Sequence, residues 1–424
     1  MDTSLSLCRL LEPEIMAAPY QLYRALRESD PVHWDPLLHA WCVTRYADVV
    51  TVLHRFSADR TLSAEQLTGM GLGALTPIVG VMKRQMLFRD PPYHSRLRSL
   101  CASAFTPARV AVLRAHIQDV VNALINRFIA NGSADIVADL AELMPAIVTA
   151  EMLGVPVEDH ESLKKWSLDF AEILGNFQHN PDRIARVLES VEEMTGYFRA
   201  AIRRQKTAPR EGLVHALTAA AGDGGHLAEE EIIANCILTM IGGQETTTNL
   251  IGSGVLTLLQ HTEQMQMLLD DPALMPSAVE ELLRFESPIQ HTARVAPEDL
   301  TLGGKQIRRG QSVIAVIAAG NRDPERFPDP DALDLKRTDN RHLAFGWGAH
   351  YCFGAPLARI EGQVAFATLL RRLRNLQLAS DRILWHENLG LRGLTNLPVR
   401  FDRGPSVPVD SKLEFLNEMA CLTC

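Results

Sequence analysis

The sequence predicts a mainly α protein with a smaller β-rich part, one domain across residues 1–424. Three observations predict this class. From about Pro107 to Gln260, apolar residues recur at helical spacing. Within that stretch Leu227–Gln260 runs about 34 residues without proline, which as one helix would span roughly 50 Å. After Pro288 short strand-like pieces alternate with turns, before a last helix from about Ala355 to Arg374.

Each element has a local reason. Pro31-Val-His-Trp34 and Trp41-Cys-Val-Thr44 read as two strands joined by a turn at Asp35-Pro36, and a helix follows near Tyr46. Residues 60–85, rich in glycine and poor in charge, read as a mobile apolar loop. Ile117, Val120, Val121, Leu124, Ile125 and Phe128 form one helix face, and Gly132 is placed to stop it. Leu143–Leu153 and Ile184–Ile202 repeat that pattern, and Asp223-Gly-Gly225 breaks it. In the central helix Ile232–Ile241 is apolar nearly all round and should be buried. Gln311–Ile317 reads as a strand. Residues 1–15 and 405–424 are expected to be flexible ends.

Composition narrows the function. Hydrophobic residues are 46% and charged residues 22%, a globular balance, and the net charge of −9 argues against nucleic-acid binding. No stretch has the ~20 apolar residues that a membrane span needs. The start carries no secretory signal pattern, so a cytoplasmic location without stable membrane insertion is expected. Seven scattered cysteines do not suggest a disulfide scaffold. Cys421 and Cys424 form a C-x-x-C that reads as a frayed tail rather than a metal, redox or prenylation site.

The chemistry concentrates in Phe345-Gly-Trp-Gly-Ala-His-Tyr-Cys-Phe-Gly354, followed by a helix. A helix N-terminus lowers the pKa of a thiol placed there. Glycines let the backbone approach a flat ligand and turn N–H groups toward sulfur. Cys352 held in this way would be a good axial ligand to haem iron; a structural cysteine or a nucleophile are the other readings. The pattern Phe345-x-x-Gly348-x-His350-x-Cys352-x-Gly354 resembles the haem-binding loop of the cytochrome P-450 family, soluble bacterial type. The resemblance extends over nearly the whole chain through Ala104-Phe-Thr-Pro107, Met152-Leu-Gly-Val-Pro156 and Asn321-Arg-Asp-Pro324.

The resemblance implies a single-domain cytochrome P-450 fold, with the long central helix over the haem and Cys352 as iron ligand. Gly242-Gly-Gln-Glu-Thr-Thr-Thr-Asn249 should interrupt that helix, because each interior glycine costs about 1 kcal/mol and the polar side chains compete with its backbone. It is similar to the family's oxygen-activation motif, which would make Gly242 and Gly243 haem-facing, Thr246 the oxygen-activating hydroxyl and Glu245 the proton relay. A plain kink is the alternative. Glu281-Leu-Leu-Arg284 places a carboxylate and a cation on one helix face. Alone it could be a solvated pair; the resemblance implies a buried structural triad with Arg337. His94 and Arg98 also share a helix face and suit an anion. The resemblance implies that His94, Arg98, Arg294 and His350 bind the haem propionates, and that Phe345, Gly346 and Gly354 shape the loop.

A haem-thiolate monooxygenase follows, with haem b as cofactor and O2 as co-substrate. It would hydroxylate or epoxidise an apolar small molecule, such as a secondary metabolite. Ile237, Ile241, Ile289, Ala293, Leu394 and Thr395, with Ala64–Val81, are the expected pocket lining, the glycine-rich 69–80 stretch serving as a lid. No second dinucleotide or iron–sulfur motif is present, so NAD(P)H electrons would arrive through a separate ferredoxin and ferredoxin reductase. Arg96, Arg109, Arg359, Arg371, Arg372 and Arg374 are the expected docking patch. A peroxide-driven or redox-neutral haem-thiolate enzyme and a non-catalytic haem sensor are the competing readings.

Overall fold

Helices carry most of this computed structural model, which describes residues 4–102, 105–173, 181–222 and 227–410, together with 413 and 416. The expected break at 223–225 and the Cys421/Cys424 tail lie outside the described residues. Among the described residues no helix is long and apolar enough to cross a membrane.

The central helix, Glu229–Gln260, packs against the cysteine helix Ala355–Arg372, the carboxylate helix Met275–Phe285 and the helix Leu143–Leu153. Glu229, Glu230 and Glu231 sit in its first turn, where negative charge suits the helix end. Its early apolar run is buried as its composition requires: Ile232, Ile233, Cys236, Ile237 and Met240 are each at most 2% exposed. Small residues bring the central, cysteine and carboxylate helices close. A side chain at Gly254 would meet the Phe366 ring, and one at Gly362 would stand 3.2 Å from Leu250. The predicted helix Leu143–Leu153 is found with those bounds and ends on Gly154, whose φ of +78° suits glycine.

The strands are β1 (Val32–Asp35), β2 (Ala40–Val43), β3 (Ser133–Asp135), β4 (Thr292–Val295), β5 (Leu300–Leu302), β6 (Lys305–Ile307), β7 (Ser312–Ala315), β8 (Gln377–Leu378) and β9 (Pro398–Arg400). One sheet has the order β1-β2-β7-β4, with β2 and β7 parallel and the other two pairs antiparallel. β4 thereby leads from the end of the carboxylate helix and presents Arg294 to the interior.

Two expectations change. Residues 60–85 are not an open loop: Ala64–Gly69 and Thr76–Met82 are helical. Ser63 accepts the Gln66 N–H at 3.1 Å while Gln66 Oε1 accepts the Ser63 N–H at 2.8 Å, a capping box present in the sequence. The N-terminal segment is also anchored. Leu7 and Leu10 are buried, and Ser6 donates to the buried Asp35 carboxylate at 2.9 Å.

Candidate active site

The cysteine loop is shaped by backbone geometry. Gly346 and Gly348 take φ of +73° and +69°, which β-carbon-bearing residues rarely adopt. The Cys352 N–H donates to Phe345 O at 2.8 Å and closes the loop. Gly354 and Ala355, at the start of the cysteine helix, direct N–H groups toward the sulfur. Burial pushes the thiol pKa up, while those N–H donors and the charges of Arg98 and Arg359 oppose the rise. The residue nevertheless carries open surface amid densely packed surroundings. A soft ligand with preset donors is what a thiolate-bound metal centre requires.

Imidazole and guanidinium donors gather around this loop. The ring of His94, from the helix Tyr93–Ala102, lies 4.1 Å from the His350 ring. His94 Nδ1, His350 Nε2 and Arg294 Nε are buried without hydrogen-bond partners. Burial, reinforced by His94 and Arg294, pushes His350 down to about 3. Arg294 falls to about 10 through burial. Arg60, which no motif singles out in the sequence, falls to about 9 through burial and the charge of Arg294. Asp90 is the carboxylate acting on Arg294 and His350, and it already accepts the Ala58 N–H at 2.9 Å. Buried ring and guanidinium nitrogens left without a partner are costly, although Arg294 Nη1 already donates to Thr292 Oγ1 at 3.2 Å and to Ala293 O at 2.9 Å. Carboxylates of a bound ligand would supply acceptors for these nitrogens beside the Arg60 and Arg294 charges, so this donor set fits haem propionates. Arg98 Nη2 donates to the Tyr351 carbonyl at 2.5 Å, bracing the loop next to Cys352.

The glycine pair does not interrupt the central helix, which is continuous from Glu229 to Gln260. Packing outweighs the propensity cost: a β-carbon on Gly243 would stand 2.7 Å from Thr149 Oγ1. A β-carbon on Gly242 would meet nothing within 4 Å, so its face is open. Thr246 Oγ1 donates to Gly242 O at 2.8 Å, the local bond that a threonine makes within a helix. Leu238, Gly242 and Thr246 share one stripe at i, i+4 and i+8, and Leu238 is only partly buried. Ile237 at 0% and Ile241 at 3% are packed into the core, so Leu238 is the better-placed residue on the open face. Helical phase counted from Gly242 would have found it.

Glu245 is pushed up to about 7 by burial, with Glu142 adding and Ser167 tempering the rise. Glu361, on the cysteine helix, accepts the Thr247 hydroxyl at 3.3 Å and is pushed up to about 8 by burial. Both carboxyls titrate above the unfolded value of about 4.3. The folded state thus binds more protons between that value and about 8, and stability falls as pH rises through this window. Glu361→Gln should therefore melt close to wild type at pH 5 and above it at pH 9, measured by thermal unfolding across pH.

The expected triad assembles. Arg284 donates to Glu281 through Nε at 2.8 Å and Nη2 at 2.7 Å, both side chains fully buried. Arg337 Nε reaches Glu281 at 3.2 Å and Asn340 Nδ2 reaches it at 3.1 Å, fixing the chain that leads to the cysteine loop.

The expected pocket residues do not all converge. Ile289 bridges Leu391. On β4, strand alternation puts Thr292 beside Arg294 and Ala293 on the opposite face. Leu394 is buried, near Gly252, and Thr395 is exposed with its backbone N–H on Leu384 O. In the expected docking patch Arg371 and Arg374 are exposed, whereas other members have partners. Arg96 pairs with Glu231 at 2.6 Å, Arg359 with Glu280 at 2.7 Å, and Arg372 donates to Asn122 O and Asn126 Oδ1. The Arg109 side chain lies outside the described residues.

This fold and this cysteine loop define a haem-thiolate class of protein. The chain belongs to the cytochrome P450 family, whose pattern matches residues 47–390. It is 35% identical over 401 residues to "Polyketide biosynthesis cytochrome P450 PksS" of Bacillus subtilis (strain 168), covering 91% of this chain and 96% of that one. It is 37% identical over 393 residues to "Biotin biosynthesis cytochrome P450" of the same organism, covering 92% and 98%. A crystal structure of P450BioI in complex with an acyl carrier protein ligated to hexadec-9Z-enoic acid superposes with a TM-score of 0.86 at 36% identity, covering 92% of this chain and 100% of that one. The protein is a cytochrome P450 monooxygenase of bacterial type.

Proposed function

We propose that this monooxygenase hydroxylates or epoxidises an apolar small molecule of secondary metabolism, using electrons from a ferredoxin and its reductase. The observation that carries the reading is the Cys352 thiol, on a residue with open surface and backed by the N–H groups of Gly354 and Ala355. Cys352 would ligate the iron, and His94, Arg60, Arg294 and His350 would hold the propionates. When bound, haem supplies O2 activation and insertion of one oxygen atom into a C–H or C=C bond, because thiolate ligation favours O–O cleavage.

The chain's own residues do the rest. Leu238 and Gly242 give substrate an apolar, unobstructed face. Thr246 holds its hydroxyl on that face by donating to Gly242 O. Glu245, titrating at about 7, is matched to passing protons at neutral pH. Its neighbour Glu142 pairs with the partly exposed Lys164 at 3.4 Å, a polar route outward. Relatives named for polyketide and biotin biosynthesis support an apolar carbon-chain substrate.

Thr246→Ala tests the reading. Reconstituted with ferredoxin, reductase and NADPH, it should bind haem and substrate normally yet release most of the reducing equivalents as hydrogen peroxide. Unchanged coupling of NADPH to product would remove Thr246 from the proton path. Wild-type product formed with peroxide but not with the redox partners would replace the monooxygenase by a peroxygenase.

A further inference from the structure

The carboxylate helix carries two consecutive glutamates with separate tasks. Glu281 is fully buried and holds Arg284, Arg337 and Asn340. Glu280 faces the cysteine helix. Arg359 donates to it through Nε at 2.7 Å and Nη2 at 2.9 Å, a two-point pairing. His342 Nε2 lies 3.3 Å from the same carboxylate. Ala344 N–H donates to His342 Nδ1 at 3.2 Å, so the ring proton is on Nε2 and points at Glu280. Burial alone would raise the Glu280 carboxyl, but His342 and Arg359 override it and bring it to about 2.

These bonds enclose the base of the loop. The Arg359 guanidinium stands 4.6 Å over the Phe345 ring and 3.3 Å from Tyr351 Oη, and Phe345 O is the acceptor for Cys352 N–H. The positive charge of Arg359 acts on the Cys352 sulfur. Glu280 thus joins the segment entering the loop, at His342, to the helix leaving it, at Arg359.

We infer that Glu280 is a positioning residue for the iron ligand: it fixes Arg359 under the cysteine loop and balances that cation's charge beside the thiolate. Two consequences follow, resting on Cys352 as the iron ligand. Neutralising Glu280 leaves an uncompensated cation near the iron and favours the ferrous form. Neutralising Arg359 leaves an uncompensated carboxylate and favours the ferric form.

The test is the ferric/ferrous midpoint of the haem-loaded, substrate-free protein, measured by spectroelectrochemical titration in Glu280→Gln, Arg359→Gln and the double variant. The expected shifts are positive in the first, negative in the second and near wild type in the double variant. Shifts of one sign in both single variants, or an unmoved midpoint with only a lowered melting temperature, would show a purely structural role and overturn the inference. Should either single variant fail to retain haem, Glu280→Asp keeps the charge and should keep the wild-type midpoint; a shifted midpoint there overturns it equally. Failure of the underlying ligand assignment is separable, since wild type itself would then lack the thiolate spectrum.

Discussion

Cys352→Ala is expected to abolish the red-shifted Soret band of the reduced CO complex and to bring monooxygenase turnover to background. The reasoning is local. The sulfur is the single soft donor offered by the loop, with Gly354 and Ala355 supplying N–H groups that stabilise its anion. Alanine keeps the positive φ values at Gly346 and Gly348 and leaves the donors of His94, Arg60, Arg294 and His350 in place. Haem retained through its propionates would then show the spectrum of a neutral or water ligand. A full thiolate-type spectrum in the variant would place the ligand elsewhere.

Glu281→Ala is expected to give the largest loss of stability. Arg284 and Glu281 are both fully buried, and removing one partner leaves a charge in low dielectric. Such losses are about 3–5 kcal/mol, a large part of the roughly 5–15 kcal/mol that holds a typical protein folded. Arg284 would keep its bonds to the Asn321, Pro330 and Ala332 carbonyls, but none of these compensates its charge. Arg337 and Asn340 would also lose their anchor, so haem loading should fall together with the denaturation midpoint. Denaturant unfolding followed at the haem and at the backbone checks this; a variant as stable as wild type would show that the carbonyls suffice.

The sequence is most informative where the chemistry is local. The cysteine loop packs its glycines, histidine and cysteine into ten residues, and its turn geometry follows from them. Leu143–Leu153 and the buried central helix are readable because their apolar residues repeat with helical period. Phase and partnership are harder. Choosing Ile237 and Ile241 for the pocket misses the rotation that puts Leu238 on the Gly242 stripe. Choosing Ala293 overlooks the strand alternation that puts Thr292 on the face of Arg294. The glycine pair reads as a helix break because propensity is local, whereas the closeness of Thr149 to Gly243 is a tertiary fact. Arg60 has no neighbouring motif and joins the cations only through the fold. The basic patch is only partly legible for the opposite reason: charge counts do not reveal that Glu231 and Glu280 already pair with Arg96 and Arg359.

X-ray absorption at the iron edge of the purified resting protein tests the ligand assignment most directly. Wild type should show one sulfur scatterer bonded to iron, absent in Cys352→Ser. An iron shell of nitrogen and oxygen alone, or a sulfur signal that survives the substitution, would contradict it.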